Sequence, residues 1–364
     1  MVERRLQDGV ATITVCPLGL GDVLFCTPAL RLLREALPAS EIGFVCQEGF
    51  RETLRGNPDV DRSHGMPSGR NDWRRRRKER ALAKDLRPFG YGQAIVFYDH
   101  KGVPDWLEAA GVPRDRIFVS PGRTDIHRRE KHYGFTQELL GLPRGGASGP
   151  LRIFPSDDDR REAMALLPEP LARGERPYVV AHIGNSTFRR RRFANRGGRI
   201  AHRAWPLENW EPCLPLLVEE LGVDLVLTGS PKEGEIAQEL LASVAAATRA
   251  RIHVVAGRTP PIRLAALLEP AAAFIGADTG PTHFAAAVGT PVVGLYGPTD
   301  VVETVPLCPD PKDLIVLRTG IACSPCDRSV RKKCFDNVCL REIGPERVVA
   351  AVGELLGRRG AGVA

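Results

Sequence analysis

The sequence predicts an α/β protein of two Rossmann-like, doubly wound parallel-sheet domains facing a cleft. Three observations predict it. Short apolar runs of strand length alternate with helical stretches along the whole chain, and the two halves repeat the same plan. The 364 residues also suffice for two domains of roughly 150 to 180 residues, each able to bury a core.

The first strand is VATITVC (10–16), followed by the turn Pro17-Leu18-Gly19-Leu20-Gly21. A helix follows, with Leu24, Leu30, Leu33 and Leu37 at helical spacing. EIGFVC (41–46) and QAIVFYD (93–99) read as further buried strands, with a helix from Trp73 to Leu86 between them. The second half runs YVVAHIG (178–184), a helix from Leu207, VDLVLTGS (223–230), a helix from Glu233, IHVVAG (252–257) and a helix from Ile262. The strand AAAFIGA then stops at Asp278-Thr279-Gly280-Pro281, a small-residue helix spans Thr282 to Val288, and a strand covers Pro291 to Leu295. A last helix spans Pro345 to Leu356. Gly145 to Pro150 reads as a loop and Pro168 to Pro177 as the interdomain linker, giving domains 1–170 and 171–344 and a terminal segment 345–364. Ligands of such sheets bind outside the carboxyl ends of the strands, so the active site is expected in the cleft between domains.

Composition narrows the function classes. Hydrophobic residues make up 43% and charged residues 26%, and no apolar run approaches the ~20 residues that span a bilayer. No apolar leader precedes the first strand, so a cytoplasmic protein with reduced cysteines is expected. Much of the net charge of +7 lies in two tracts, Arg74 to Lys78 and Arg189 to Arg203. Anionic membrane surface, a phosphorylated acceptor and plain solvation all suit such tracts. Without aromatic platforms, nucleic acid is not an expected partner.

Asp278-Thr279-Gly280-Pro281 carries the strongest chemical signal. Pro281 pre-sets the first helical turn, Gly280 admits a ligand close to the backbone, and the N–H groups at the helix start suit a phosphate or diphosphate. Asp278 as a simple cap is the bland alternative. His283, one turn in, either contacts that diphosphate or packs. Gly19-Leu20-Gly21 begins a dinucleotide fingerprint but lacks its third glycine, because position 24 is Leu. Asp22, at the start of that helix, is a candidate catalytic carboxylate or an N-cap. Asp157-Asp158-Asp159 reads as a helix cap. Cys323-x2-Cys326-x7-Cys334-x4-Cys339 places four of nine cysteines within seventeen residues. One tetrahedral sulfur site for structural zinc or iron is expected there, with unligated thiols and disulfides as alternatives.

Asp278-Thr279-Gly280-Pro281-Thr282-His283, with Ala285-Ala286, Gly289, Pro291 and Gly297-Pro298-Thr299, resembles the signature of glycosyltransferase family 9, the ADP-heptose:lipopolysaccharide heptosyltransferases and their relatives. The resemblance implies the two-domain GT-B fold, with segment 345–364 crossing back to the first domain. It implies an inverting glycosyltransferase that takes heptose from an ADP-heptose donor, with no cofactor required for catalysis. The first domain would bind the acceptor and the second the nucleotide sugar. Lipopolysaccharide inner core is the implied acceptor, reached at the inner-membrane surface. Small metabolites or proteins are alternative acceptors, and a noncatalytic nucleotide-sugar-binding module is the alternative of another class. By the same resemblance Asp22 is the general base, with Gly19 and Gly21 admitting the acceptor. Thr187, Thr279, Gly280 and His283 surround the donor phosphates, Arg203 stands where the family has the lysine of K-x-W-P, and Glu233 meets the ribose. A carboxylate at a helix start is equally a cap, so Glu233 carries both readings.

Overall fold

The computed structural model describes residues 5–67, 73–100, 102–122, 125–184, 203–326, 334 and 336–359. The chain divides into two compact units, Met1–Phe154 and Pro155–Ala364.

In the first unit the strands are β1 (Thr12–Val15), β2 (Ile42–Gln47), β3 (Arg62–Met66), β4 (Gln93–Val96) and β5 (Ile117–Val119). They form one parallel sheet in the order β3-β2-β1-β4-β5. Residues along β1, β2 and β4 are buried almost throughout, because helices cover both faces of the sheet. Those helices are α1 (Leu20–Phe25), α2 (Thr27–Ala36), α3 (Trp73–Leu86), α4 (Val103–Ala109) and α5 (Arg128–Leu139). The strand order reverses between β1 and β4, so the loops after these two strands flank the topological switch point.

Helix α5 inserts His132 between the rings of Phe97 and Tyr98, with centroids at 5.1 and 4.7 Å. The imidazole is fully buried, and neither ring nitrogen has a hydrogen-bond partner among the described residues. Burial pushes its pKa well below the ordinary value, and Lys131, Arg128 and His127 push the same way. The unfolded chain protonates this group near pH 6.5 while the folded chain resists. The stability linked to it is therefore complete above about pH 6.5 and falls by up to ~1.4 kcal/mol per pH unit below that. His132→Phe should keep the fold and flatten the acid limb of stability, measured by denaturant titration between pH 6.5 and 5. An unchanged slope would assign that limb to other groups.

In the second unit the strands are β6 (Tyr178–His182), β7 (Asp224–Thr228), β8 (Ile252–Val254), β9 (Ala273–Ala277), β10 (Val292–Leu295) and β11 (Leu314–Leu317). They pair in parallel as β11-β10-β9-β6-β7-β8, reversing between β6 and β9. Helices α6 (Asp157–Met164), α7 (Glu169–Ala172), α8 (Leu207–Leu221), α9 (Pro231–Leu241), α10 (Ala246–Arg249), α11 (Pro261–Leu268), α12 (Gly280–Ala287), α13 (Val301–Thr304), α14 (Val338–Arg341) and α15 (Pro345–Arg358) complete it. Ser156 and Asp159 close a capping box on α6, the role expected of the aspartate triplet.

Two boundary expectations need correction. The division falls after Phe154 and not after residue 170, because α6 packs on α11 and ties to it through Arg160–Glu269 and Arg263–Glu162. Pro168 to Pro177, read as a linker, lies inside the second unit with Leu171 buried. Helix α15 packs within the second unit. Its buried residues Val348, Val352, Leu355 and Leu356 join the same apolar cluster as Trp210, Leu214 and Leu217 of α8.

Candidate active site

In the first unit, the turn after β1 leads directly into α1 and places Asp22 at its third position. Three donors converge on this carboxylate. Oδ2 accepts the Gly19 N–H at 3.0 Å, while Oδ1 accepts the Tyr98 hydroxyl at 2.9 Å and Arg128 Nη1 at 2.7 Å. Both the turn after β1 and Tyr98, which follows β4, belong to the switch point of this sheet. Burial, followed by the field of Asp22, raises the Tyr98 phenol well above its usual value, so it remains a proton donor to the carboxylate. Arg128 opens α5, and its guanidinium also lies 6.0 Å from the Tyr98 ring centroid. A carboxylate offers about four lone-pair directions. With three taken, the one left is on Oδ2, and the side chain is 14% exposed. The cap reading of Asp22 is thus realised through one oxygen without consuming the group. Gly19 serves as the N-cap and Gly21 is buried. Sequence reasoning passed over Tyr98 and Arg128. Tyr98 sits in the strand run ending at Asp99, but Arg128 is remote in sequence and nothing local marks it.

In the second unit, β9 delivers Asp278 into the interior at 3% exposure. It does not cap α12: Thr279 is the N-cap and makes no side-chain capping bond. Asp278 instead gathers a cluster. Arg203 Nη2 donates to Oδ2, His283 Nε2 lies 3.6 Å from Oδ1, and the Tyr296 hydroxyl lies 3.4 Å from Oδ1 while donating to Thr304 O at 2.7 Å. Burial alone would raise the Asp278 carboxyl. His283 and Arg203 outweigh it and hold the group well below the usual carboxylate range. Next to this cluster, Thr279, Gly280 and Pro281 are partly exposed, whereas Thr282 and His283 are buried. Thr282 Oγ1 donates to Ala277 O at 2.5 Å, fixing the turn from inside. The uncapped first turn of α12 therefore presents N–H donors and the positive end of its dipole beside the Arg203 guanidinium, an arrangement that suits an oxyanion.

Arg203 is held in place by its neighbours. Trp205 Nε1 donates to Ile343 O at 3.0 Å and packs edge-on against Trp210, and Ala204 O accepts Asn337 Nδ2 at 2.9 Å. Thr299, in the Gly-Pro-Thr turn after β10, has its hydroxyl buried without a partner among the described residues. Thr187 and the arginine tract up to residue 202 lie outside the described residues.

Glu233 stands apart from the Asp278 cluster, at the end of β7. It closes the capping box of α9, its Oε2 accepting Ser230 N–H at 2.6 Å. A Cβ on Gly184 would collide with its other oxygen, Oε1. His182, hydrogen-bonded to Thr228 at 3.2 Å, has its pKa lowered by burial, with Glu233 opposing. The carboxylate thus caps a helix with one oxygen and faces the end of β6 with the other.

The four cysteines line one cavity of about 250 Å³, together with Pro298, Asp336 and Asn337. Burial, then the fields of Cys326, Cys334 and Cys323, push the Cys339 thiol up to about 11. As a soft donor set around one cavity they fit zinc or iron in composition. The coordination is not closed: Cys326 and Cys334 thiols donate to the carbonyls of Cys323 and Asp336. Among the described residues no group of three or more His, Cys, Asp or Glu stands in metal-holding geometry.

Comparison with known proteins bears on both clusters. Residues 172–334 match the model of glycosyltransferase family 9 (heptosyltransferase). Lipopolysaccharide heptosyltransferase 2 of Salmonella typhimurium is 26% identical over 96% of this chain and 99% of its own length. The family 9 match thus falls on the part of the chain that holds the Asp278 cluster, and the Salmonella relative is similar over nearly the whole chain. Lipopolysaccharide heptosyltransferase 2 of Escherichia coli K12 is 27% identical over 81% of this chain and 85% of its own. Among solved structures, a family 9 glycosyltransferase of Veillonella parvula matches with a TM-score of 0.78 at 20% identity, covering 98% of this chain and 100% of that one. ADP-heptose heptosyltransferase II of E. coli matches with a TM-score of 0.74 at 21% identity, covering 96% and 100%. These likenesses establish two parallel-sheet α/β domains of GT-B type, the fold class expected for this glycosyltransferase. No helix among the described residues is long and apolar enough to cross a membrane.

Proposed function

We propose that the protein is an inverting glycosyltransferase that moves heptose from ADP-heptose to a sugar hydroxyl of the lipopolysaccharide inner core, at the cytoplasmic face of the inner membrane. The observation that carries the reading is the Asp278 cluster. A buried carboxylate holds Arg203 beside the uncapped start of α12, in a chain that matches the family 9 model and whose full-length relatives are lipopolysaccharide heptosyltransferases.

In the proposed reaction the acceptor hydroxyl approaches the remaining lone pair on Asp22 Oδ2. Its oxygen attacks the anomeric carbon from the side opposite the leaving group and its proton passes to Asp22. The bond from that carbon to the ADP β-phosphate oxygen breaks, and ADP leaves with the electron pair. Direct displacement inverts the anomeric configuration. Tyr98 and Arg128 orient the carboxylate. Charge developing on the diphosphate is met by the N–H groups of Thr279 and Gly280 at the start of α12, by Arg203, and by the buried His283 behind them. Arg203 gives Nη2 to Asp278 and keeps the rest of its fork for phosphate. Thr187 is assigned to the same phosphates by its place in the family pattern, and Glu233 Oε1 to the ribose. Calorimetric titration tests the donor assignment: ADP should bind and UDP and GDP should bind at least tenfold more weakly. Equal binding of all three would remove the adenine-nucleotide assignment.

The four cysteines are assigned a structural zinc or iron. Their segment touches the donor side at two points, Cys326 N–H donating to Pro298 O at 3.0 Å and Asn337 to Ala204 O beside Arg203. Bound metal would brace the Gly297-Pro298-Thr299 turn and the Arg203 backbone without entering the chemistry. Purified protein should carry about one metal per chain by elemental analysis, and chelation should lower the melting temperature and weaken ADP binding severalfold. Metal-free protein of unchanged stability would leave the cysteines as plain thiols.

A further inference from the structure

We infer that the outer face of α3 is the surface on which the protein docks to an anionic lipid bilayer. The inference deepens the proposed function, in which the acceptor is a lipid-anchored glycan.

Helix α3 has two opposite stripes. Arg75, Glu79, Leu82 and Leu86 recur at spacings of four, three and four and turn inward; Arg75 and Glu79 pair at 2.8 Å with side chains 10% and 12% exposed. Trp73, Arg77, Arg80 and Lys84 recur at the same spacings half a turn away, and all four are exposed. Arg74, Arg76 and Lys78 flank this stripe on the solvent side, and Asp85 is the single exposed acid of the helix. Among the described residues Arg76, Arg77, Lys78, Arg80 and Lys84 form no ion pair. The cations of the outer stripe are thus uncompensated along a helix about 21 Å long.

Trp73 separates this face from an ordinary solvated helix. It is 67% exposed, while Trp106, Trp205 and Trp210 are each 4% exposed or less. An amphipathic indole next to a row of cations matches the headgroup layer of a membrane, where tryptophan settles and anionic lipids attract lysine and arginine. The apolar stripe is already used against the unit's own core, so docking is by charge with one aromatic anchor and no insertion of the helix. A single-stranded nucleic acid would need several stacking rings, and Trp73 is the one exposed aromatic among the described residues.

Vesicle flotation of the full-length protein tests this. Vesicles containing phosphatidylglycerol should carry the protein at low salt and release it at high salt, and pure phosphatidylcholine vesicles should not carry it. Each cation near such a surface is worth on the order of fivefold in partitioning. R77Q/R80Q/K84Q should therefore weaken binding on the order of 100-fold, and R77K/R80K should retain it. Anionic vesicles should shift tryptophan emission to the blue in the wild type and not in Trp73→Phe. Undiminished binding of the triple variant, equal binding to neutral vesicles, or binding to single-stranded RNA without binding to vesicles would each overturn the inference. The triple variant should transfer heptose normally to a delipidated acceptor and poorly to one embedded in vesicles. Loss of transfer to both by the wild type, with vesicle binding intact, would defeat the proposed function alone.

Discussion

Asp22→Asn should lower heptose transfer by about 10²–10⁴-fold while ADP affinity stays within about twofold. The substitution is isosteric and keeps one acceptor oxygen, which can still take the Gly19 N–H and cap α1 while the amide NH2 replaces the oxygen that Tyr98 and Arg128 approach. It removes the only group of this cluster that can take the acceptor's proton. Tyr98 and Arg128 are both donors to Asp22 Oδ1, and neither replaces it. ADP affinity should survive because the donor residues sit in the second unit, on a separate core. Arg128→Met provides the contrast. It leaves the carboxylate in place but frees its orientation, so the rate should fall less, about tenfold, and the loss should appear in kcat. Full turnover by Asp22→Asn would reduce Asp22 to a helix cap.

Asp278→Ala should weaken ADP binding by about 10- to 100-fold, the worth of one to two charge-assisted contacts. The mutation releases Arg203, whose side chain is 40% exposed and turns to solvent once its partner is gone. It also removes the oxygen beside Tyr296 and His283. Stability should fall by roughly 1–2 kcal/mol, less than for a fully buried pair because water solvates the freed guanidinium. The sign of the pH effect follows from the depressed carboxyl. Its contribution is present above the unfolded value of about pH 4 and is lost as pH falls further toward the folded value. Between pH 5 and 8 the titration of Asp278 should leave ADP binding unchanged. Native ADP affinity in Asp278→Ala would show that α12 binds the diphosphate without Arg203.

Much of this was legible in the sequence, and the reasons differ by element. The buried strands β1, β2, β4, β6, β7 and β9 announce themselves because a parallel sheet covered on both faces needs continuous apolar runs. The edge strands β3 and β11 were missed: RSHGM carries no apolar run and has four of its five positions at least partly exposed, while LIVL is apolar but only four residues long, with three of them partly exposed. Helix α3 was read with both ends correct, because Leu82, Ala83 and Leu86 fix its inner face. The unit boundary was misplaced because Pro168 to Pro177 has linker composition, while α6 is claimed by distant partners on α11. At the site, Asp22, Asp278 and Arg203 were marked by turn chemistry and motif. Their companions Tyr98, Arg128 and Tyr296 were not, since contacts across 76, 106 and 18 residues leave no local pattern.

The most direct test is transfer itself. Purified protein would be incubated with ADP-heptose and lipopolysaccharide core lacking heptose, and the glycan examined by mass spectrometry, with Asp22→Asn alongside. The wild type should add one heptose with inversion at the anomeric carbon and release one ADP, and the variant should add none in the same time. ADP release without a glycosylated product, or heptose retained in its original anomeric configuration, would contradict the assignment of Asp22 as the base of a direct displacement.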